Sequence, residues 1–342
     1  MITNPTIPTD SLVLVTAVNG FIGAHIASQF LTHGYRVRGT VRSLSRCKWM
    51  LSHFTALHGA NRFSLVEVTD VLVPGAWDTA VQGCAGFVHA AASVDMAIPD
   101  AHAHIAEAEK GAIEALEAAR RAGVRAFTFL SSSWTLYTPP FRTVGPLTED
   151  MWNEEAVALA CSGKSDEEKG MAPFMAGKVR AEQACWAWVS ANQPGFTFNT
   201  IPVSTTFGPL VSARDQAYGT TAGFLKNAFD GENTDFLNSF PPQFFVDVRD
   251  VGRLHVAGII DPSADGKRIL AFARDFNWDD VLKTFKEKAP GKEFGIQGSE
   301  RDLAQVENKR GEGLLQALGR PGWVPLEESL SDCVDGYREG TE

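Results

Sequence analysis

The stretch T-A-V-N-G-F-I-G, Thr16 to Gly23, follows a short apolar run (L-V-L-V, Leu12 to Val15) and precedes a helical pattern. That context gives its glycines a chemical meaning. Backbone N–H groups at the start of a helix that follows a strand attract an anion, above all a pyrophosphate. Gly20 lets the backbone approach the phosphates, and Gly23 lets the helix pack against the strand. The tight-turn position, where a third glycine is usual, is Ala17. If that turn needs a positive φ, alanine costs about 1–2 kcal/mol, which weakens binding without abolishing it. The second strand ends in R-V-R-G-T-V-R-S, with no acid to bond a ribose 2′-hydroxyl and with Arg42 at its end. An arginine there pairs with a 2′-phosphate, so NADP is expected rather than NAD. The alternative for Arg42 is a solvated strand-end arginine.

These groups need a scaffold, and the chain alternates accordingly. Strands are expected at Leu12–Thr16, Arg36–Val41, near Phe63, Phe87 and Phe127, and at F-N-T-I-P-V. Helical patterns run from Ile22 to His33, up to His58, from His102 to Ala122 and from Ala172 to Asn192. Such alternation predicts an α/β doubly wound parallel sheet with helices on both faces. Residues 1–209 are expected to form the dinucleotide-binding part, active-site helix included. Residues 210–342 form a smaller substrate-binding region, from which 244–260 returns to the core. Between Pro139 and Pro173 the pattern dissolves into Pro, Gly and charge, which reads as a solvated loop or a partial lid.

The 342 residues carry a formal charge of −10 and 44% hydrophobic residues, so a full core forms and a nucleic-acid partner is disfavoured. Five scattered cysteines without a C-x-x-C pair fit free thiols in a reducing compartment. The N-terminus lacks a signal-peptide pattern and no stretch reaches ~18 uninterrupted apolar residues. A cytoplasmic protein, with no membrane partner, is expected. His102 and His104, at i and i+2, face different sides of a helix, and beside Glu107 no third ligand is obvious, so no metal is expected there and they read as polar helix surface.

Taken together, the motifs resemble the extended short-chain dehydrogenase/reductase family, near the dihydroflavonol reductase-like and fungal aldehyde (carbonyl) reductase-like groups. The resemblance spans nearly the whole chain. Its phosphate loop takes in Thr16, Ala17, Asn19, Gly20, Phe21, Ile22 and Gly23, and G-T-V-R-S carries Arg42. V-T-D-V supplies an adenine-side Asp70 and Val71; V-H-A-A-A-S supplies Ala90 and Ala91 beneath the cofactor. F-L-S-S-S aligns Ser132 with the family's serine, and I-P-V-S-T-T-F-G-P places Pro202 on the nicotinamide side. F-F-V-D-V-R-D-V-G-R-L-H-V is a further extended-family segment. The resemblance implies NADPH-linked carbonyl reduction, in secondary metabolism, by a monomer or homodimer. A tyrosine would protonate the forming alkoxide, the serine would hold the carbonyl oxygen, and a lysine at i+4 on the same helix face would lower the phenol's pKa and bind the ribose.

In M-A-P-F-M-A-G-K-V-R-A-E the lysine is Lys178, but the tyrosine position is Phe174. The chain's tyrosines are Tyr35, Tyr137, Tyr218 and Tyr337, and none has a lysine at i+4. A phenyl ring fills the space and has no proton to give. Three readings follow. The chain is an atypical reductase on a small or medium apolar metabolite, with a water, Ser132 or another tyrosine (Tyr137 or Tyr218) delivering the proton, since general-acid catalysis typically contributes about 10²–10⁴-fold and hydride transfer can survive its loss. Alternatively the pocket serves an isomerase, dehydratase, lyase or cyclase, with Lys178 as a base. Or it is an NADP-binding regulator. An engineered oxygen deletion would give the same residue, but the second departure at Ala17 points to natural divergence. Trp134 is a candidate substrate wall, and Tyr218 lies in a region expected to face substrate.

Overall fold

The computed structural model describes residues 2–93, 95, 98–141 and 144–339. Among the described residues twelve strands are formed: β1 (Leu12–Val15), β2 (Arg36–Val41), β3 (Phe63–Glu67), β4 (Gly86–His89), β5 (Ala126–Ser132), β6 (Gly145–Leu147), β7 (Thr197–Val203), β8 (Thr205–Phe207), β9 (Gln243–Asp247), β10 (Lys267–Arg268), β11 (Arg274–Phe276) and β12 (Ala304–Val306). Seven of them build one parallel sheet in the order β10-β7-β5-β4-β1-β2-β3. The order reverses between β1 and β4, and ligands of doubly wound sheets bind in the crevice outside the carboxyl ends at such a point.

Burial on both faces follows from strand alternation. In β1, Val13 and Val15 enter a core with Phe30, Val37, Phe54 and Ile259. Leu14 points the other way, to Phe87, Leu116, Phe127 and Cys185. The Phe21–Thr32 and Val248–Ile260 helices cover the first face, and Ala101–Arg121 with Ala172–Asn192 cover the second. A smaller three-stranded sheet, β11-β9-β8, carries a separate aromatic core around Phe207, Phe245, Phe276 and Trp278. β10 shows that the main sheet also draws a strand from beyond residue 209. Among the described residues no helix is long and apolar enough to cross a membrane.

The expected solvated loop between Pro139 and Pro173 is largely structured, which corrects the sequence reading. Asn153 caps a helix at Glu154–Ala160, its side chain accepting from the Ala156 amide. Ala156, Val157 and Ala160 are buried against Ala172, Met175, Ala176 and Val179. The flanking charge and proline hid an apolar A-V-A-L-A stretch that needed this partner.

One buried ion pair joins these layers. Glu182, on the Ala172–Asn192 helix, is 0% exposed and meets Arg268 of β10 through two hydrogen bonds of 2.8 and 3.2 Å. Its carboxylate also accepts from Ser131 Oγ at 2.5 Å and Thr200 Oγ1 at 2.6 Å. Arg268 donates further to the carbonyls of Glu149 and Met151 and to Thr135 Oγ1. Its guanidinium lies 3.8 Å from the centre of the Trp152 ring. Burial pushes the Glu182 carboxyl up, but Arg268 and the hydroxyl donors outweigh it and hold the group below its usual range. The stabilisation is therefore complete above the ordinary carboxylate range and fades as pH falls through the folded value. Glu182→Ala leaves a buried, unpaired guanidinium and should cost about 3–5 kcal/mol in urea unfolding. A loss below about 1 kcal/mol would show that the pair does not tie the layers together.

Candidate active site

The phosphate loop forms because β1 ends at Val15 and the chain turns sharply at Ala17. Ala17 does adopt positive φ, 51°, so the turn imposes the strain that alanine pays for there. Its amide donates to Thr40 Oγ1 at 3.2 Å, and the Val18 amide to the Thr40 carbonyl at 3.1 Å. Gly23 has no room for a side chain: a Cβ would stand 2.3 Å from the Ala17 carbonyl oxygen. Gly20 opens the helix at φ −73°, with no side-chain cap and no acid in the first turn. Its positive end therefore remains available to an anion. Asn19 and Gly20 are exposed, Phe21 is buried against His25, and Ile22 is half-buried. Thr16 Oγ1 accepts from the amides of both Ala90 and Ala91 at 2.8 Å, which fastens the segment after β4 to the loop. The Gln216 side chain donates to the Gly20 carbonyl at 3.1 Å, a contact between distant segments that the sequence did not signal.

Arg42 is exposed at the end of β2 and enters no ion pair among the described residues. Asp70 is exposed too, and its carboxylate accepts from the Leu72 amide at 2.8 Å. Val71 is half-buried beside the Ala101–Arg121 helix at Gly111. The uncapped helix start, the crowded Gly23 and the unpaired Arg42 fit a dinucleotide carrying an extra phosphate.

At the carboxyl end of β5 three serines stand in a row, and strand alternation sorts them. Ser131 turns beneath the sheet to Glu182, whereas Ser132 is half-buried, its Oγ accepting from the Trp134 amide at 3.2 Å. Pro202, buried in β7, is in register with Ser131. The Trp134 ring meets Phe174 edge-on at 5.7 Å, and Phe174 is 6% exposed. Lys178 Nζ stands 5.1 Å from the centre of the same ring and donates to the Ser93 carbonyl at 3.4 Å. Burial holds its ammonium down at about 8. Contacts thus run in series from Ser132 to Trp134, from Trp134 to Phe174 and from Phe174 to Lys178.

Neither alternative tyrosine joins that series. The Tyr137 hydroxyl donates to Asp302 Oδ2 at 3.1 Å, and burial together with that carboxylate raises its pKa well above the ordinary value. Tyr218, expected to face substrate, packs its ring on Tyr337 at 5.5 Å with Lys226 nearby. His104, in contrast, is not plain helix surface. It lies beside Phe174, ring centres 6.3 Å apart and planes 24° apart, and it fills the space left by Gly177, whose Cβ would sit 2.5 Å from Nε2. A signal was present: Ala101, His104, Ala108, Gly111 and Ala115 recur at helical spacing, so His104 belongs to the inward stripe and His102 does not.

A doubly wound sheet with an anion-accepting β1 turn, and with Ser132 at the carboxyl edge of β5, defines a dinucleotide-binding oxidoreductase scaffold. A protein-family profile described as the NAD dependent epimerase/dehydratase family matches residues 13–270, and the chain belongs to that family, the extended short-chain dehydrogenases/reductases. It is similar to aldehyde reductase 2 of Sporidiobolus salmonicolor, 34% identical with 97% of this chain and 98% of the other covered. Ketoreductase adrE of Penicillium roqueforti is 32% identical over the same shares. The yeast methylglyoxal/isovaleraldehyde reductase Gre2, solved with NADPH, superposes at TM-score 0.80 with 21% identity, covering 96% of this chain and 98% of its own. Vestitone reductase from alfalfa gives 0.74 with 19% identity over 97% and 99%. At these identities the two structures speak for the fold.

Ala17→Gly removes the strain at φ 51°. Part of the gain is offset by greater freedom of the unfolded chain, so stability should rise by about 0.5–1 kcal/mol in urea unfolding. A fall in stability would mean that the alanine methyl packs usefully.

Proposed function

We propose that the chain is an NADPH-linked carbonyl reductase acting on aldehyde or ketone groups of small or medium apolar metabolites, aromatic ones included. The carrying observation is Lys178, a cation held at about 8 by burial, beside Phe174 in the group that Ser132 and Trp134 complete. A reduced nicotinamide supplies the hydride in such a site. Ser132 Oγ holds the carbonyl oxygen, Lys178 binds the nicotinamide ribose and contributes positive charge, and Trp134 walls the apolar side. Arg42 takes the 2′-phosphate, Asp70 and Val71 flank the adenine, and Ala90, Ala91 and Pro202 line the floor. On this reading residues 1–209 hold the cofactor and residues 210–342 complete the substrate side. The names of the relatives support carbonyl reduction.

A non-redox reading keeps one observation in its favour. An ammonium at about 8 next to a residue that cannot protonate anything is close enough to neutrality to act as a base. Isomerase, dehydratase, lyase or cyclase chemistry would use it, while an NADP-binding regulator would need only the loop and Arg42.

Cofactor titration by nicotinamide fluorescence separates these readings. Arg42→Ala should weaken NADPH by about 10–100-fold, the worth of a charge-assisted contact, and leave NADH nearly unchanged. Phe174→Tyr should raise NADPH-dependent aldehyde reduction several-fold or more. No binding at millimolar NADPH would sink both the reductase and the regulator. Binding without any reduction, even in Phe174→Tyr, would favour the non-redox enzyme or the regulator.

A further inference from the structure

The reductase reading leaves one chemical gap: hydride addition to a carbonyl carbon makes an alkoxide, and Phe174 has no proton for it. Among the nearby groups, Ser132 is too weak an acid to end as an alkoxide itself. The Tyr137 hydroxyl is engaged with Asp302, and Tyr218 packs on Tyr337. Lys178 is the remaining acid on the Ala172–Asn192 helix, and a second acid faces it from the neighbouring helix.

That second acid is His104. Its ring lies beside Phe174, planes 24° apart, on the face that also carries Gly177 and Lys178. The missing side chain at Gly177 is what admits the imidazole, because a Cβ there would fall 2.5 Å from Nε2 and 2.6 Å from Cδ2. Neither ring nitrogen hydrogen-bonds to a described residue, and the ring is half-buried, so it can bond a substrate oxygen or an ordered water and still exchange protons with solvent.

Resting on the reductase reading, we propose that His104 supplies the proton that Phe174 cannot. The carbonyl carbon gains a hydride from the reduced dinucleotide, and the imidazolium N–H bond breaks as the new O–H bond forms. His104 is left neutral and regains its proton from water; the substrate leaves as the alcohol.

Three charged groups face the imidazole. Lys178, from the neighbouring helix, adds to burial in holding its pKa below 6.5, while Glu107 on its own helix and Asp95 from the segment after β4 act the other way. The protonated form is the reactive one, so reduction should speed up as pH falls through the His104 pKa and slow as pH rises above it.

The test is a two-by-two set at saturating NADPH with benzaldehyde: the natural chain, His104→Gln, Phe174→Tyr and the double variant. His104→Gln should lower kcat by about 10²-fold or more in the natural chain, with NADPH affinity within about 2-fold, but by less than about 3-fold in the Phe174→Tyr background, where a phenol again gives the proton. The fall of kcat above the His104 pKa, the alkaline limb of the profile, should vanish in both His104→Gln and Phe174→Tyr. Independently of turnover, the imidazole ¹³Cε1–¹H signal missing from His104→Gln should titrate in the NADP⁺ complex at the pH of that limb. Equal losses in both backgrounds would mean that His104 only packs the helices, and a loss below about 3-fold in the natural chain would also overturn the proposal. No NADPH-dependent reduction by the natural chain or by Phe174→Tyr would bring down the reductase reading, and this proposal with it. Reduction that persists unchanged in His104→Gln would overturn the proposal alone.

Discussion

The Glu182–Arg268 pair is the constraint on which the site depends. Glu182 lies one helical turn beyond Lys178 and reaches Ser131, the neighbour of Ser132, at 2.5 Å. The helix that presents Lys178 and the strand that presents Ser132 are therefore locked to each other through one carboxylate. Arg268 extends the lock outward, clasping the carbonyls of Glu149 and Met151 and stacking on Trp152, so the segment between β6 and the Glu154–Ala160 helix is held to the same point. An ion pair this buried adds little net stability over an apolar substitute, but its directional bonds fix register. Register is what a site built from two separate elements requires.

The sheet and its helices were legible because periodicity and β-branched runs are local properties. β2 and the Ala172–Asn192 helix lie where the residue pattern places them. The phosphate loop was legible for the same reason, and the positive φ that its turn could require is present at Ala17. Glu182 was not legible. In R-A-E-Q a glutamate reads as a solvated helix face, and its partner is 86 residues away. His104 escaped for a related reason: taken by themselves, two histidines at i and i+2 look alike, and the small-residue stripe that turns His104 inward gains its meaning from the opposing Gly177. The A-V-A-L-A stretch was masked by the charge and proline around it, since its burial comes wholly from the neighbouring helix.

On the reading proposed above, in which Phe174 fills the acid position, the same geometry accounts for a phenyl ring there rather than an aliphatic side chain. The Lys178 ammonium must be oriented within a partly dehydrated site. The Phe174 ring, 5.1 Å from Nζ, presents a negative π-face, and the Ser93 carbonyl accepts one N–H. On the proposed reading, a phenyl ring in place of a phenol removes a proton donor while keeping the cation–π contact and the edge-on support of Trp134. It also removes the phenol whose ionisation the ammonium would assist, so the charge of Lys178 now falls on whatever acid stands next to it. That neighbour is His104, whose pKa the ammonium depresses, as burial does. An imidazolium made more acidic gives up its proton more readily to an alkoxide, while fewer copies carry that proton at neutral pH. Lys178 would therefore tune a histidine by repulsion, whereas attraction would tune a phenol, with the same lysine serving either donor.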